Sequence, residues 1–227
     1  MKDEPAAGTS VPAPDAYPAR EHRLHRLTPT AAFVVSLGLS GAAFAAAAVG
    51  QPAPAFSVVD TAGKTVSLAD FKGRHVVLEW VNPGCPYVRK HYDSDNMQAT
   101  QKGAAAKGVV WLAVNSTATD AGDYLKPGVM ADWMKKQGAA ATATLMDTEG
   151  KVGRAYGART TPHMYIVDPK GTLVYAGAID SRPTANPADV KTATNHVNVA
   201  LAETLAGQPV STPTTRAYGC SVKYSAM

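Results

Sequence analysis

Cysteine is nearly absent: the 227 residues hold two, Cys85 and Cys220, set far apart in the chain. Val88 stands where a C-x-x-C pair would place its second thiol, so no local disulfide can form around Cys85. Aromatic residues make up only 7% of the chain, and its basic residues are scattered without a run. A net charge of +4 spread in this way, with no aromatic interleaving, argues against a nucleic-acid surface. From residue 48 on there is no internal repeat and no low-complexity block, which leaves one non-repeating domain with extensions.

Residues 1–47 read as a signal peptide. Arg20, Arg23 and Arg26, with His22 and His25, form a basic start, and residues 31–47 are apolar and uncharged. The Ala-Phe-Ala at 43–45 suits cleavage near 45–48, and an uncleaved anchor is the alternative, weakened by the Ala, Gly and Ser content of the run. Cleavage removes Lys2, Arg20, Arg23 and Arg26 together with Asp3, Glu4, Asp15 and Glu21, so the net charge stays at +4. The expected location is periplasmic or secreted, with the membrane met only through the signal segment. Both cysteines lie in the exported part, and two thiols in an oxidising compartment usually pair or do redox work.

The stretch EWVNPGCPYVRKHY, residues 79–92, is where chemistry concentrates. Residues 75–81 (HVVLEWV) are β-branched and aromatic and predict a buried strand. Residues 86–108 carry helix formers up to Gly108 and predict one helix, with Pro86 in its first turn, where a missing N–H costs nothing. Cys85 then falls at the helix N-terminus, where free amides and the macrodipole favour an anion and make a thiol a usable nucleophile. The alternative is a small apolar filler at a strand end. The Asn82-Pro83-Gly84 loop and the charged Arg89, Lys90 and His91 favour the reactive reading.

Before that stretch, residues 56–60 and 64–68 predict a short hairpin and 69–73 a turn of helix. After it, residues 109–115 (VVWLAVN) predict a strand buried on both faces, and 116–126 a surface loop. Val129, Met130, Trp133 and Met134 predict a helix over 127–137 with those residues as core. A short strand at 142–146, a short helix at 151–156, and a hairpin of 163–167 with 172–178 across an Asp-Pro-Lys-Gly turn follow. A helix over 188–205 and a Thr/Pro/Ser-containing tail, 208–227, close the chain. This order predicts one α/β domain over 48–207, a mixed sheet flanked by helices, with Cys85 at the carboxyl end of a central strand.

These residues resemble the thioredoxin-like superfamily and, within it, the AhpC/TSA redoxins of peroxiredoxin-like and TlpA-like kind. The resemblance covers about residues 49–224. VGQPAPAFSVVDTAGKTVSLADFKG is similar to the redoxin N-terminal hairpin extension, and TTPHMYIVDPKGTLVYAGAID to the cis-proline loop and hairpin. CPYVRKHY, NMQ and the tail YGCSVKY resemble a narrower peroxiredoxin-like group.

The resemblance implies an oxidoreductase with no cofactor, in which Cys85 attacks a disulfide or a peroxide. Pro162 corresponds to a cis-proline facing that thiol, with Pro86 beside it, and leaves the Thr161 backbone free to pair with an extended substrate. The other reading of Pro162 is a trans proline opening a strand. Glu79 corresponds to a buried acid that relays protons, with a raised pKa; the competing reading points it outward to a Lys or Arg. Cys220, on a flexible tail, is implied as the resolving thiol, with a structural disulfide or a dangling thiol as alternatives. Asn82 stands where a peroxiredoxin has Thr, and Pro162 where it has Arg, which leaves only Arg154 and Arg159 to compensate. His163 is expected beside Cys85, as a proton donor or as a group that lowers the thiol pKa. With Cys85 it would instead supply two ligands for copper or zinc in a metal-handling module, although the C-x-x-x-C of thioredoxin-fold copper chaperones is missing. A third reading is a redox-inactive domain that grips extended peptides beside Thr161. The expected partners are protein or small-molecule thiols and disulfides, with peroxide as a further oxidant and no nucleic acid.

Overall fold

The computed structural model describes residues 12–13 and 47–226. The signal segment expected over 1–47 lies almost wholly outside the described residues. Among those described, no helix is long and apolar enough to cross a membrane.

A hairpin of β1 (Ser57–Val59) and β2 (Thr65–Ser67) comes first. Then follow β3 (Val76–Trp80), α1 (Pro86–Asp93), α2 (Asn96–Ala105), β4 (Val110–Asn115), α3 (Pro127–Lys136), β5 (Ala143–Met146) and α4 (Lys151–Tyr156). The remainder is β6 (Thr160–Thr161), β7 (His163–Val167), β8 (Leu173–Gly177), α5 (His196–Leu205) and β9 (Cys220–Ser221). Five strands form the central sheet in the order β5-β4-β3-β7-β8, parallel from β5 to β3 and antiparallel from β3 to β8. This is the thioredoxin-like α/β arrangement, with the hairpin extension attached at the β5 edge through Thr61 and Asp60.

The largely apolar runs become β3 and β4 because only a central strand covered on both faces buries every side chain, Glu79 and Asn115 included. Alternation then sorts the strand residues into two cores. Val77 of β3 and Val81 just after it join Cys85, Met164 and Ile166 with α1, α2, α3 and α5 on one face. Val76, Leu78 and Trp80 join Tyr165, Val167, the hairpin and α4 on the other.

Four expectations need correction. The single helix over 86–108 is two helices, because Asp95 adopts a left-handed backbone at φ 58° between them. The Asp-Ser-Asp sequence there carries short polar side chains that compete with helical bonding and tolerate that conformation. The helix over 188–205 is a 3-10 segment, Pro187–Thr192, followed by α5, which Asn195 caps through its side chain and the Asn198 amide at 2.9 Å. Val129 is half exposed, while Met130 and Met134 fill the core below it. The tail, expected to be flexible, is seated along the molecule.

Candidate active site

Cys85 is the N-cap of α1, at the carboxyl end of the central strand, and Pro86 occupies the first helical position as expected. Asn82 builds the loop that delivers it. Its Oδ1 accepts from Gly84 N–H at 2.8 Å, its carbonyl from Cys85 N–H at 3.0 Å, and its Nδ2 donates to Asp123 at 2.7 Å. Both ends of the Asn82 amide are therefore engaged in holding the loop, and none of its hydrogen-bond partners is a thiol.

The Thr161–Pro162 peptide is cis. The Thr161 carbonyl accepts a hydrogen bond from the Cys85 thiol at 3.0 Å. On the other side of Thr161 stands Cys220, its partner in the two-residue antiparallel ladder of β6 and β9. The strand edge read from the sequence as free for substrate is thus occupied by the chain's own tail. Both cysteines are thiols, and Cys85 is buried. Burial first, and then the hydrogen bond and charge of Cys85, push the Cys220 thiol up to about 12. Lys223 and the Tyr87 amide act in the opposite direction, which places Cys220 against the first turn of α1.

Glu79 lies on the Cys85 face of the sheet, fully buried. Its Oε2 accepts from Trp111 Nε1 at 2.7 Å and Gln101 Nε2 at 3.0 Å, and its Oε1 from the Tyr92 hydroxyl at 2.8 Å. All three donors are neutral, so they offset only part of the desolvation, and burial raises the carboxyl to about 7. The outward-pointing alternative is excluded. None of these three partners is a thiol.

His163 does not meet Cys85. It pairs with Trp80 in register and stacks on Tyr165 at 4.5 Å, on the opposite face of the sheet from Cys85 and Met164. Burial and the nearby Arg159 lower it to about 4, so it is neutral near pH 7. A metal site shared by Cys85 and His163 cannot form across the sheet. Among the described residues no group of three or more His, Cys, Asp or Glu is placed to hold a metal ion. Arg154 is engaged elsewhere, over the Tyr224 ring at 4.6 Å and on the Ser225 carbonyl at 2.8 Å.

Sequence reasoning missed one cluster. Lys90 Nζ is buried and contacts Asp180 Oδ2 at 3.1 Å and the Arg182 carbonyl at 2.7 Å. The Tyr218 hydroxyl donates to Asp180 and lies 3.1 Å from His91 Nε2, and Tyr87 packs edge-on against the Tyr218 ring at 5.9 Å. Burial lowers His91 to about 4. His91 is thus an interior group that ties α1 to the tail two residues before Cys220.

The AhpC/TSA family model matches residues 49–176. The chain belongs to the AhpC/TSA family. The thiol-disulfide oxidoreductase ResA of Bacillus subtilis (strain 168) is 29% identical over 125 residues, 55% of this chain and 64% of that protein, so the match leaves over a third of that relative uncovered. Two solved structures superpose over most of the chain. A hypothetical protein from Sinorhizobium meliloti 1021 gives a TM-score of 0.67 at 25% identity, covering 81% of this chain and 98% of its own. An uncharacterized conserved protein from Geobacillus kaustophilus gives 0.67 at 27%, covering 79% and 94%. The AhpC/TSA match ends at residue 176, so it includes Cys85 and Pro162 but not Cys220.

Proposed function

We propose that this AhpC/TSA chain is an exported thiol-disulfide oxidoreductase in which Cys85 attacks and Cys220 resolves. The observation that carries the reading is the convergence of both thiols on Thr161, one through its carbonyl and one through its ladder position. The Cys85 sulfur attacks one sulfur of a disulfide, that S–S bond breaks, and the distal sulfur leaves as a thiolate that takes up the Cys85 proton. Cys220 then attacks the Cys85 sulfur and expels the second thiolate, which takes up the Cys220 proton. One substrate disulfide becomes two thiols, and Cys85 and Cys220 become a disulfide.

The roles of the remaining residues follow from their contacts. Asn82 and Pro86 fix the loop and the first helical turn, and Thr161 and Pro162 form the wall against which sulfur reacts. Glu79, with its carboxyl at about 7, is poised to hold or give a proton near neutrality, through Tyr92 or water rather than by touching sulfur. Peroxide is the less favoured oxidant, because the Asn82 amide, which stands where a peroxiredoxin has Thr, is committed to the loop. Export rests on the basic and apolar segment at 20–47. The similarity to ResA supports disulfide chemistry.

The deciding experiment adds one equivalent of hydroxyethyl disulfide to reduced protein and follows mass and thiol count. Loss of both thiols and two mass units in a monomer, with a Cys85–Cys220 cross-linked peptide, is the expected result. A stable adduct on Cys85 with Cys220 still free removes the resolving role, and an unreactive Cys85 removes the enzyme reading.

A further inference from the structure

The tail is strapped along the molecule at several points. Pro213 and Thr215 bond the backbone of Ala176 at 3.0 and 3.2 Å, extending the β8 edge. Tyr218 enters the pocket of Lys90, His91 and Asp180, Cys220 pairs with Thr161, and Val222 N–H donates to the Arg159 carbonyl at 3.0 Å. Beyond it the Tyr224 hydroxyl donates to the Ala158 carbonyl at 2.7 Å. Gly219 approaches the cis-proline loop so closely, at φ 131°, that a Cβ there would collide with the Thr161 carbonyl. The segment lies in the loop beside the reactive thiol as an extended, cysteine-bearing strand. That is the geometry in which a polypeptide adds to a sheet edge through main-chain hydrogen bonds.

We infer that residues 213–225 are a tethered competitor for the Thr160–Thr161 edge, caught by Tyr218, so that an extended polypeptide reaches Cys85 only when this strap is out. This deepens the oxidoreductase reading and rests on it for the chemistry alone. With the strap seated, the main-chain groups that would bind a polypeptide are already bonded, and Cys85 is 2% exposed. Small disulfides need only a path to one sulfur. A cleft of about 660 Å³ bordered by Thr160, Asp180, Ser181, Tyr218 and Gly219 runs beside the strap and leaves it room to lift.

The test compares two reagents that release the same thionitrobenzoate on full-length Cys220→Ser protein. One is dithiobis(nitrobenzoate). The other is a synthetic peptide of the sequence of residues 214–225, its cysteine activated as the thionitrobenzoate disulfide. Cys85 attacks the peptide sulfur, the bond to thionitrobenzoate breaks, and the coloured thiolate leaves. Adding Tyr218→Ala and Tyr224→Ala together is expected to raise the peptide rate at least tenfold and the small-reagent rate less than twofold, the latter also reporting an intact fold. Equal changes for both reagents, or none for the peptide, overturn the inference. The same peptide with serine at position 220 reads the edge without chemistry. It is expected to bind the strap variant and not the Cys220→Ser parent, and equal binding to both overturns the inference whether or not Cys85 proves to be a nucleophile.

Discussion

Cys220 stands opposite Thr161 in an antiparallel ladder, while the Cys85 thiol donates to the carbonyl of that same Thr161. One backbone residue thus positions two sulfurs, which leads to a first prediction. Gly219→Ala places a Cβ against the Thr161 carbonyl, so the ladder cannot close as it stands. The Cys85–Cys220 bond is expected to form at least tenfold more slowly, while the first attack of Cys85 on a small disulfide is retained. Quenched-flow mass spectrometry separates the two steps.

Cys220 is expected to resist alkylation at neutral pH. Its thiol is pushed up to about 12 by burial and then by Cys85, so its thiolate fraction stays small until far above pH 9. Cys85→Ala removes the second and third of those causes and is expected to shift the iodoacetamide profile of Cys220 to lower pH. An unchanged profile in the variant would leave burial as the whole explanation.

Glu79 makes stability depend on pH. Its folded-state value, about 7, lies above its ordinary 4.5, so the folded protein binds the proton more tightly than the unfolded chain. The resulting stabilisation is complete below about pH 4.5 and is lost as pH rises through 7. The difference is of order 3 kcal/mol from the size of the shift. Urea denaturation at pH 5 and pH 8 is expected to show this loss in the wild type. Glu79→Gln, which keeps an acceptor for Trp111, is expected to flatten it.

Asp180→Ala is expected to be the most damaging single change among those in the tail cluster. It strands Lys90, whose side chain is buried against that carboxylate, and costs about 3–5 kcal/mol. Tyr218→Phe removes one hydroxyl from the same cluster and is expected to cost about 1–2 kcal/mol. Chemical denaturation of both variants checks the order.

Most of the sheet was legible because runs such as VVWLAVN admit few other placements, and the cis-proline loop through its resemblance. What stayed hidden depends on partners far away in sequence. Lys90 and His91 follow a helix start and look solvated until Asp180 and Tyr218, some ninety and more residues later, close over them. The side of the sheet that His163 faces follows from its register with Trp80, which no local pattern states. The seating of the tail depends on Gly219 and Tyr218, whose fit is visible only once the surface they meet exists. The break at Asp95 does carry a local signal, a polar Asp-Ser-Asp sequence inside an otherwise helical run.

The two thiols that meet at Thr161 are about 135 residues apart, so joining them closes the chain from the start of α1 to the tail into a covalent ring, with the N-terminal hairpin and β3 outside it. A ring of that size restricts the unfolded chain by roughly 5 kcal/mol in the chain-entropy treatment, far more than a C-x-x-C bond, whose loop is only a few residues long. The redox state of this protein is therefore expected to be readable as heat resistance: the oxidised form melts well above the reduced one, and a reductant alone brings the midpoint down.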